Sequence, residues 1–100
     1  MTIIKRVVKM TFREEDTDKF IRDVFDRSKQ KIRAFPGCRH MELLRDTRHP
    51  NVLFTLSYWD DETALDQYRN SELFAETWVK TKALFSDRPQ AWSLEVLDTP

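Results

Sequence analysis

The stretch that decides the fold is Val52–Trp59, with the sequence VLFTLSYW, followed by the acidic run Asp60-Asp61-Glu62. Successive side chains of an extended segment point to opposite faces. Here both sets are largely apolar and rich in β-branched and aromatic residues, which are typical of strands. A strand that is apolar on both faces needs a cover on both. We therefore predict a central strand and interpret the rest of the chain as its cover.

The composition is that of an ordinary globular protein. The chain has 100 residues, of which 17 are basic and 17 are acidic. This length predicts one domain spanning residues 1–100. The balanced charge argues against nucleic acid or an anionic membrane as the main partner. No apolar run approaches the roughly 20 residues that span a bilayer. The single cysteine, Cys38, cannot form an internal disulfide, so we predict a reducing, cytoplasmic location.

Hydrophobic periodicity predicts six elements around the turn at Gly37, the only glycine. They are strands at 3–12, 38–46, 52–59 and 91–97, and helices at 13–35 and 61–85, the second divided near residue 70. The order β-α-β-β-α-β is that of a ferredoxin-like split α+β fold. It has a four-stranded antiparallel sheet with helices on one face.

This architecture leaves the second face of the sheet bare. We expect seven apolar residues to need a further layer there: Val52, Phe54, Leu56 and Tyr58, together with Ile4, Val8 and Met10. An identical chain is the simplest cover for such a face, so we predict a homodimer formed through the sheet. Arg6 falls among the apolar positions of the first strand. It either reaches solvent at a rim or directs its charge into a cavity or across an interface.

Three motifs resemble a known family. They are Phe35-Pro36-Gly37-Cys38 after the first helix, Tyr58-Trp59-Asp60-Asp61-Glu62 at the end of the third strand, and Tyr68-Arg69-Asn70-Ser71-Glu72-Leu73-Phe74 between the later helices. Together they resemble antibiotic biosynthesis monooxygenase domains of the dimeric α+β barrel superfamily, over about residues 3–97. The resemblance implies a dimeric barrel. Members include cofactor-independent oxygenases of anthrones, quinol oxygenases and haem-degrading enzymes.

The resemblance also assigns individual positions. Trp59 matches the strand tryptophan of anthrone-oxidising members, whereas Thr55 and Leu65 stand where those members have Asn and Tyr. Tyr68 and Trp78 stand near the positions of the Trp and the haem-binding His of haem-degrading members. In quinol-oxidising members, histidines occupy the positions of Tyr68 and Leu73.

We predict a pocket between the sheet and the two C-terminal helices. Its predicted walls are Trp59, Tyr68 and Trp78, with the polar groups His40, Arg69 and Thr55. Aromatic walls with few polar groups suit a flat aromatic substrate such as a quinol or anthrone. His40 is the predicted general base, because its ordinary pKa lies near neutrality, and Tyr68 is a second catalytic candidate. The alternative is structural: core packing for the aromatic residues, a strand hydrogen bond for His40 and a surface position for Arg69.

The sequence thus predicts a cofactor-independent monooxygenase of a small aromatic substrate. The alternative is a non-catalytic dimeric module that binds a small hydrophobic ligand. His40 and His49 are the only histidines and have no Cys or carboxylate at ligand spacing, so we predict no metal. One glycine cannot build a phosphate loop or dinucleotide fingerprint, and no flavin or haem is expected. The signature of an RNA-recognition sheet is also missing.

Overall fold

The computed structural model describes residues 2–100, and Met1 of the predicted 1–100 domain lies outside them. The strands are β1 (Ile4–Thr11), β2 (Cys38–Arg45), β3 (Val52–Trp59) and β4 (Gln90–Glu95), and the helices are α1 (residues 17–33), α2 (Glu62–Arg69) and α3 (Glu72–Lys82). The strands form an antiparallel sheet in the order β2-β3-β1-β4. This confirms the ferredoxin-like α+β fold and the central position of β3. Within residues 2–100, no helix is long and apolar enough to cross a membrane.

The helix α1 is irregular in the part that faces the sheet. After a 3-10 turn at Glu14–Asp16 it is α-helical over Thr17–Lys19, π-helical over Phe20–Phe25 and α-helical again over Asp26–Arg33. A π-helix closes its hydrogen bonds over five residues, so Phe20 and Phe25 turn towards the same side. Their ring centroids are 6.3 Å apart. The π-helical turn therefore presents two phenyl rings to the interior.

Gly37 makes the turn between α1 and β2 and needs to be a glycine. Its φ of 87° lies in the left-handed region that favours glycine. A Cβ atom on Gly37 would lie 2.5 Å from the Cβ of Ala64 in α2. The Gly37 carbonyl also accepts the Asp60 N–H at 2.9 Å. This turn thus ties the end of α1 to the start of α2, whose N-terminus is capped by Asp61.

The core consists of two clusters between the sheet and the helices. The first contains Met10, Phe12, Phe20, Val24, Leu53 and Leu84, and the second contains Ile4, Cys38, Trp59, Ala64 and Leu65. In the antiparallel register Ile4 lies opposite Trp59 and Met10 opposite Leu53, and directly opposed residues share a face. The assignment of Ile4, Val8 and Met10 to the bare face is therefore wrong. They face the helices.

The other side of the sheet has no covering element among residues 2–100, and we call it the open face. By the strand registers it carries Lys5, Val7, Lys9, His40, Glu42, Leu44, Val52, Phe54, Leu56, Tyr58, Trp92 and Leu94. The four β3 residues assigned to this face lie there as predicted and are only half-buried. Trp92 and Leu94 are exposed. Strand alternation thus leaves a broad, largely apolar surface.

A bulge in β2 breaks the simple alternation that the sequence implied. Cys38 lies opposite Trp59, and His40 lies opposite Tyr58. Over this bulge β2 therefore advances by two residues where β3 advances by one. Regular alternation along β2 would put Cys38 and His40 on the same face, but the bulge puts them on opposite faces. Cys38 is buried under the helices, while His40 lies on the open face.

Candidate functional site

A cavity of about 310 Å³ lies between the helix-facing side of the sheet and the helices. Its volume is at the lower end of the range of roughly 300–1,000 Å³ for small-molecule sites. Four of the sheet residues that line it have short side chains, namely Val8, Thr55, Ser57 and Ala91, whereas Arg6, Met10, Met41, Trp59 and Gln90 line it with longer ones. Because the four short side chains do not fill the distance between the two layers, a space that is partly open to solvent remains between the sheet and the helices.

Trp59 at the end of β3 and the side chains of α2 and α3 form a wall that is a continuous series of aromatic rings. Trp59 stacks on Tyr68 with centroids 4.8 Å apart and an interplanar angle of 20°. The edge of Tyr68 meets Phe74 at 5.3 Å, and Phe74 stacks on Trp78 at 5.7 Å. All four residues line the cavity. Such a wall presents flat apolar surface and ring edges to a planar ligand.

Trp59 is fixed in place from several sides. It is 1% exposed, and its indole Nε1 donates to the Ser57 hydroxyl at 2.9 Å. Phe35 contacts it edge-on with centroids 6.3 Å apart. A buried indole needs such a partner for its N–H. The ring can therefore serve both as core and as cavity wall, which is also what allows it to hold Tyr68 in position.

Tyr68 has a protonated hydroxyl. Burial raises the pKa of Tyr68 well above its ordinary value, and the nearby Cys38 thiol adds a smaller contribution in the same direction. Within residues 2–100, no group forms a hydrogen bond with this hydroxyl. Burial also raises the pKa of the Cys38 thiol, so the reactive thiolate is disfavoured there. Tyr68 thus lines the cavity as a neutral phenol, and Cys38 acts as core.

Arg6 brings a charged side chain to the lining of the cavity. Its side chain lines the cavity and donates from Nη1 to the Ser93 hydroxyl at 2.9 Å. Partial burial lowers the pKa of Arg6, and the positive charge of Arg69 lowers it further, whereas Glu62 opposes the shift. Arginine stays protonated in proteins despite such shifts. The cavity therefore has a cationic end.

The other predicted pocket residues take the following positions. Arg69 lines the cavity from the last turn of α2 and is exposed to solvent. Thr55 lies on its floor, and Trp78 on α3 completes the aromatic wall. With Trp59 and Tyr68, five of the six predicted site residues thus come together around one cavity. Their roles in binding or catalysis remain predictions.

His40 is the exception, and its predicted place in this pocket is wrong. It lies on the open face, with its ring centroid 4.8 Å from that of Tyr58. Its Nε2 is 3.5 Å from a carboxylate oxygen of Glu42. The bulge after Cys38 is the physical reason, because it reverses the side to which the following residues point. The sheet therefore separates His40 from the cavity.

Sequence reasoning missed the contribution of α1 to this site. Phe20, Phe25, Ser28 and Ile32 also line the cavity, although the pocket was predicted between the sheet and the C-terminal helices alone. Their apolar spacing along α1 indicated an inward face, but a core residue and a cavity residue have the same pattern.

Within residues 2–100, no His, Cys, Asp or Glu side chain lines the cavity, and no group of these residues could hold a metal ion.

Comparison with protein families identifies one match. The sequence profile of the family described as antibiotic biosynthesis monooxygenase matches residues 3–79 of the 100-residue chain. This range includes Arg6 and the whole aromatic wall but ends before β4. A search of curated protein sequences found no match.

Solved structures with the same fold are numerous. A conserved protein from Methanosarcina mazei Go1 aligns with a TM-score of 0.88 and 21% identity, covering 94% of this chain and 92% of the other. An antibiotic biosynthesis monooxygenase aligns with a TM-score of 0.86 and 19% identity, covering 95% and 99%. Rv0793 from Mycobacterium tuberculosis aligns with a TM-score of 0.85 and 21% identity, covering 97% of both chains. At these identities the likeness establishes the fold.

Proposed function

The chain belongs to the antibiotic biosynthesis monooxygenase family, and we propose that it is a cofactor-independent monooxygenase of a small aromatic substrate such as a quinol or anthrone. The observation that carries this proposal is the cavity with its aromatic wall of Trp59, Tyr68, Phe74 and Trp78. A planar ring system fits between such a wall and the short side chains of the sheet.

In the proposed reaction the substrate itself reduces O₂. For an anthrone, the ring methylene becomes a carbonyl. One oxygen atom of O₂ forms the new C=O bond, and the other leaves with the two methylene hydrogens as water. The electrons come from the substrate, which must first lose a proton to become a sufficiently strong reductant. The protein's contribution is then to bind the ring, stabilise the resulting anion and limit access of water.

The cavity provides groups for stabilising this anion. Arg6 and Arg69 supply positive charge, and the neutral Tyr68 hydroxyl supplies a hydrogen-bond donor. Donors that are already oriented stabilise a developing oxyanion without reorganising. Because the cavity lining within residues 2–100 includes no carboxylate or imidazole, we propose that the proton passes to solvent. The pH dependence of turnover should then follow the acidity of the bound substrate.

The second candidate function is a non-catalytic module that binds a small hydrophobic ligand. The cavity lining within residues 2–100 has no carboxylate or imidazole that could act as a base, and this favours a binding module. A binding module needs the aromatic wall and the enclosed volume but does not need a proton acceptor. The two functions therefore predict the same affinity for flat ligands and differ only in whether O₂ is consumed.

We propose that a second copy of this chain covers the open face. Phe54, Leu56 and Trp92 give it a largely apolar character, which is unusual for a free surface. Lys5 and Glu42 place opposite charges on the same face, so a two-fold related copy can bring them together. A dimer of this kind leaves the cavity, on the other side of the sheet, within each protomer.

The decisive experiment measures O₂ uptake with a panel of quinols and anthrones and compares two substituted proteins. Thr77→Phe places a phenyl ring in the cavity from α3, whereas Val79→Phe adds the same ring at a site that is 63% exposed on the same helix. We expect Thr77→Phe to abolish turnover and ligand binding, and Val79→Phe to retain both. Ligand binding without O₂ uptake by the wild type would instead support the binding module.

A further inference from the structure

The charged residues that line the cavity all have the same sign. Within residues 2–100 they are Arg6, on the sheet, and Arg69, at the end of α2. Glu62 lies near enough to oppose the shift in the pKa of Arg6, but it does not line the cavity. The other lining residues are apolar, aromatic or neutral polar. The cavity thus combines a cationic end with an apolar, aromatic body.

The two guanidinium groups have hydrogen-bonding capacity to spare. Arg6 donates to the Ser93 hydroxyl, which uses one of its five N–H donors. Within residues 2–100, Arg69 forms no side-chain hydrogen bond or ion pair. A partly buried cation next to apolar surface is costly unless an anion or acceptor approaches it. The positive charges of Arg6 and Arg69 also repel one another, which an anion between them would relieve.

We propose that the substrate is an aromatic carboxylic acid, whose ring lies against the aromatic wall and whose carboxylate is bound by Arg6 and Arg69. This proposal rests on the proposed function and names the substrate class for the same site. Guanidinium groups match the planar geometry of a carboxylate and bind it through paired N–H donors. Tyr68 stacks on Trp59 at the same wall, so both residues give the cavity aromatic surface for the ring of such an acid.

The charges around the cavity favour a ligand that carries a single negative charge. Glu62 partly offsets the positive charge around Arg6, so a doubly charged phosphate would be less well compensated than a carboxylate. The volume of about 310 Å³ suits a fused two- or three-ring system with one small substituent. A neutral hydrophobic ligand would add no partner to the single hydrogen bond of Arg6 and would leave Arg69 with none among residues 2–100.

Calorimetric titration with three matched probes tests the proposal without turnover. The probes are 2-naphthoate, the neutral isostere 2-naphthamide, and 2-naphthol at a pH where it is largely ionised. At low salt we expect 2-naphthoate to bind roughly tenfold more tightly than 2-naphthamide, as charge-assisted hydrogen bonds require. The ratio of the two affinities should fall as salt is added, because Arg69 is exposed to solvent and salt screens its charge.

Substitutions of Arg6 and Arg69, with a control at Arg27, test which residues cause the preference for naphthoate over naphthamide. Arg6→Gln and Arg69→Gln should each lower the ratio severalfold, and the double variant should bring it to about one. Arg27→Gln removes the same charge from an exposed position on α1 outside the cavity and should leave the ratio unchanged. If Arg6→Gln does not fold, the exposed Arg69→Gln together with the salt titration still decides the question.

Several results would overturn the proposal. These are equal affinity of the wild type for naphthoate and naphthamide, a preference that survives in the folded double variant, or tight binding of the naphtholate alone. The outcome is separate from that of the proposed function. A protein that prefers naphthoate but consumes no O₂ with any substrate retains this inference and loses the oxygenase. A protein that oxidises neutral anthrones but shows no preference for naphthoate retains the oxygenase and loses this inference.

Discussion

Trp59 and Trp92 lie on opposite faces of the same sheet and have opposite surroundings. Trp59 is 1% exposed beneath the helices, whereas Trp92 is 43% exposed on the open face. One face is therefore completed by the chain itself, and it contains both the core clusters and the cavity. The other has no cover within residues 2–100, and we propose a second copy of the chain for it. The difference teaches that hydrophobicity predicts burial at both tryptophans but does not identify what buries each one.

Replacing each tryptophan by alanine gives the most direct test of this difference. Trp59→Ala should lower the free energy of unfolding by roughly 3–5 kcal/mol, as for other buried aromatic residues. Trp92→Ala should cost about 1 kcal/mol or less in dilute protein, because a half-exposed side chain contributes little to a protomer. Urea denaturation at low concentration measures both. Equal losses would mean that the two faces are equally complete within one chain.

Charged residues on the open face should break the proposed dimer. Phe54→Asp combined with Leu56→Asp should weaken association by about 3 kcal/mol or more, since each apolar side chain contributes roughly 1.5–3 kcal/mol when buried. Sedimentation and the concentration dependence of the melting temperature report the change. Val79→Asp, on the exposed side of α3, is the control and should leave assembly intact. A wild-type protein that remains monomeric at micromolar concentration would contradict the dimer.

Tyr68 should make the helix-covered face sensitive to high pH. Its folded pKa is raised above the unfolded value, so the unfolded chain loses its proton first as the pH increases. The associated stability is complete below about pH 10, and it then declines by up to about 1.4 kcal/mol per pH unit. Tyr68→Phe should show a shallower decline over the same range in denaturant titrations.

The smallest effect is expected at His40. Because His40 lies across the sheet from the cavity, His40→Ala should alter turnover by less than about threefold, whereas general bases contribute roughly 10²- to 10⁴-fold. Steady-state O₂ uptake by a variant with wild-type melting behaviour measures this. A loss of a hundredfold or more would place the histidine back in the mechanism and would mean that the two faces are functionally coupled.

The sequence predicted the elements well because their signals are local. Alternation over Val52–Trp59 located β3 with the bounds that the structure has, and the proline and glycine after Phe35 located the end of the first helix. The π-helical turn at Phe20–Phe25 was not predicted, since its residues keep an ordinary helical pattern. The bulge after Cys38 was also missed. Both are departures from regular geometry that composition does not reveal.

The candidate site was predicted in part for the same reason. Trp59, Tyr68, Arg69 and Trp78 were drawn together by the motifs and by the expected packing of the later helices on the sheet, and all line the cavity. His40 was misplaced because a parity argument fails beyond a bulge. Arg6 was recognised as anomalous among apolar neighbours, but its direction was undecided until the helix-facing side of β1 was known.

By itself, the sequence determined the order of the elements, the central strand and the presence of two apolar sheet faces, because these depend on periodicity and on residues close in the chain. Only the tertiary structure decided which face the helices cover and that a space remains beneath them. It also decided that Arg6 and Arg69, 63 positions apart, both line that space. The covered face and the cavity depend on the register between the strands, on the bulge in β2 and on the short side chains of Thr55 and Ser57. All of these involve contacts between strands and helices that are distant in sequence.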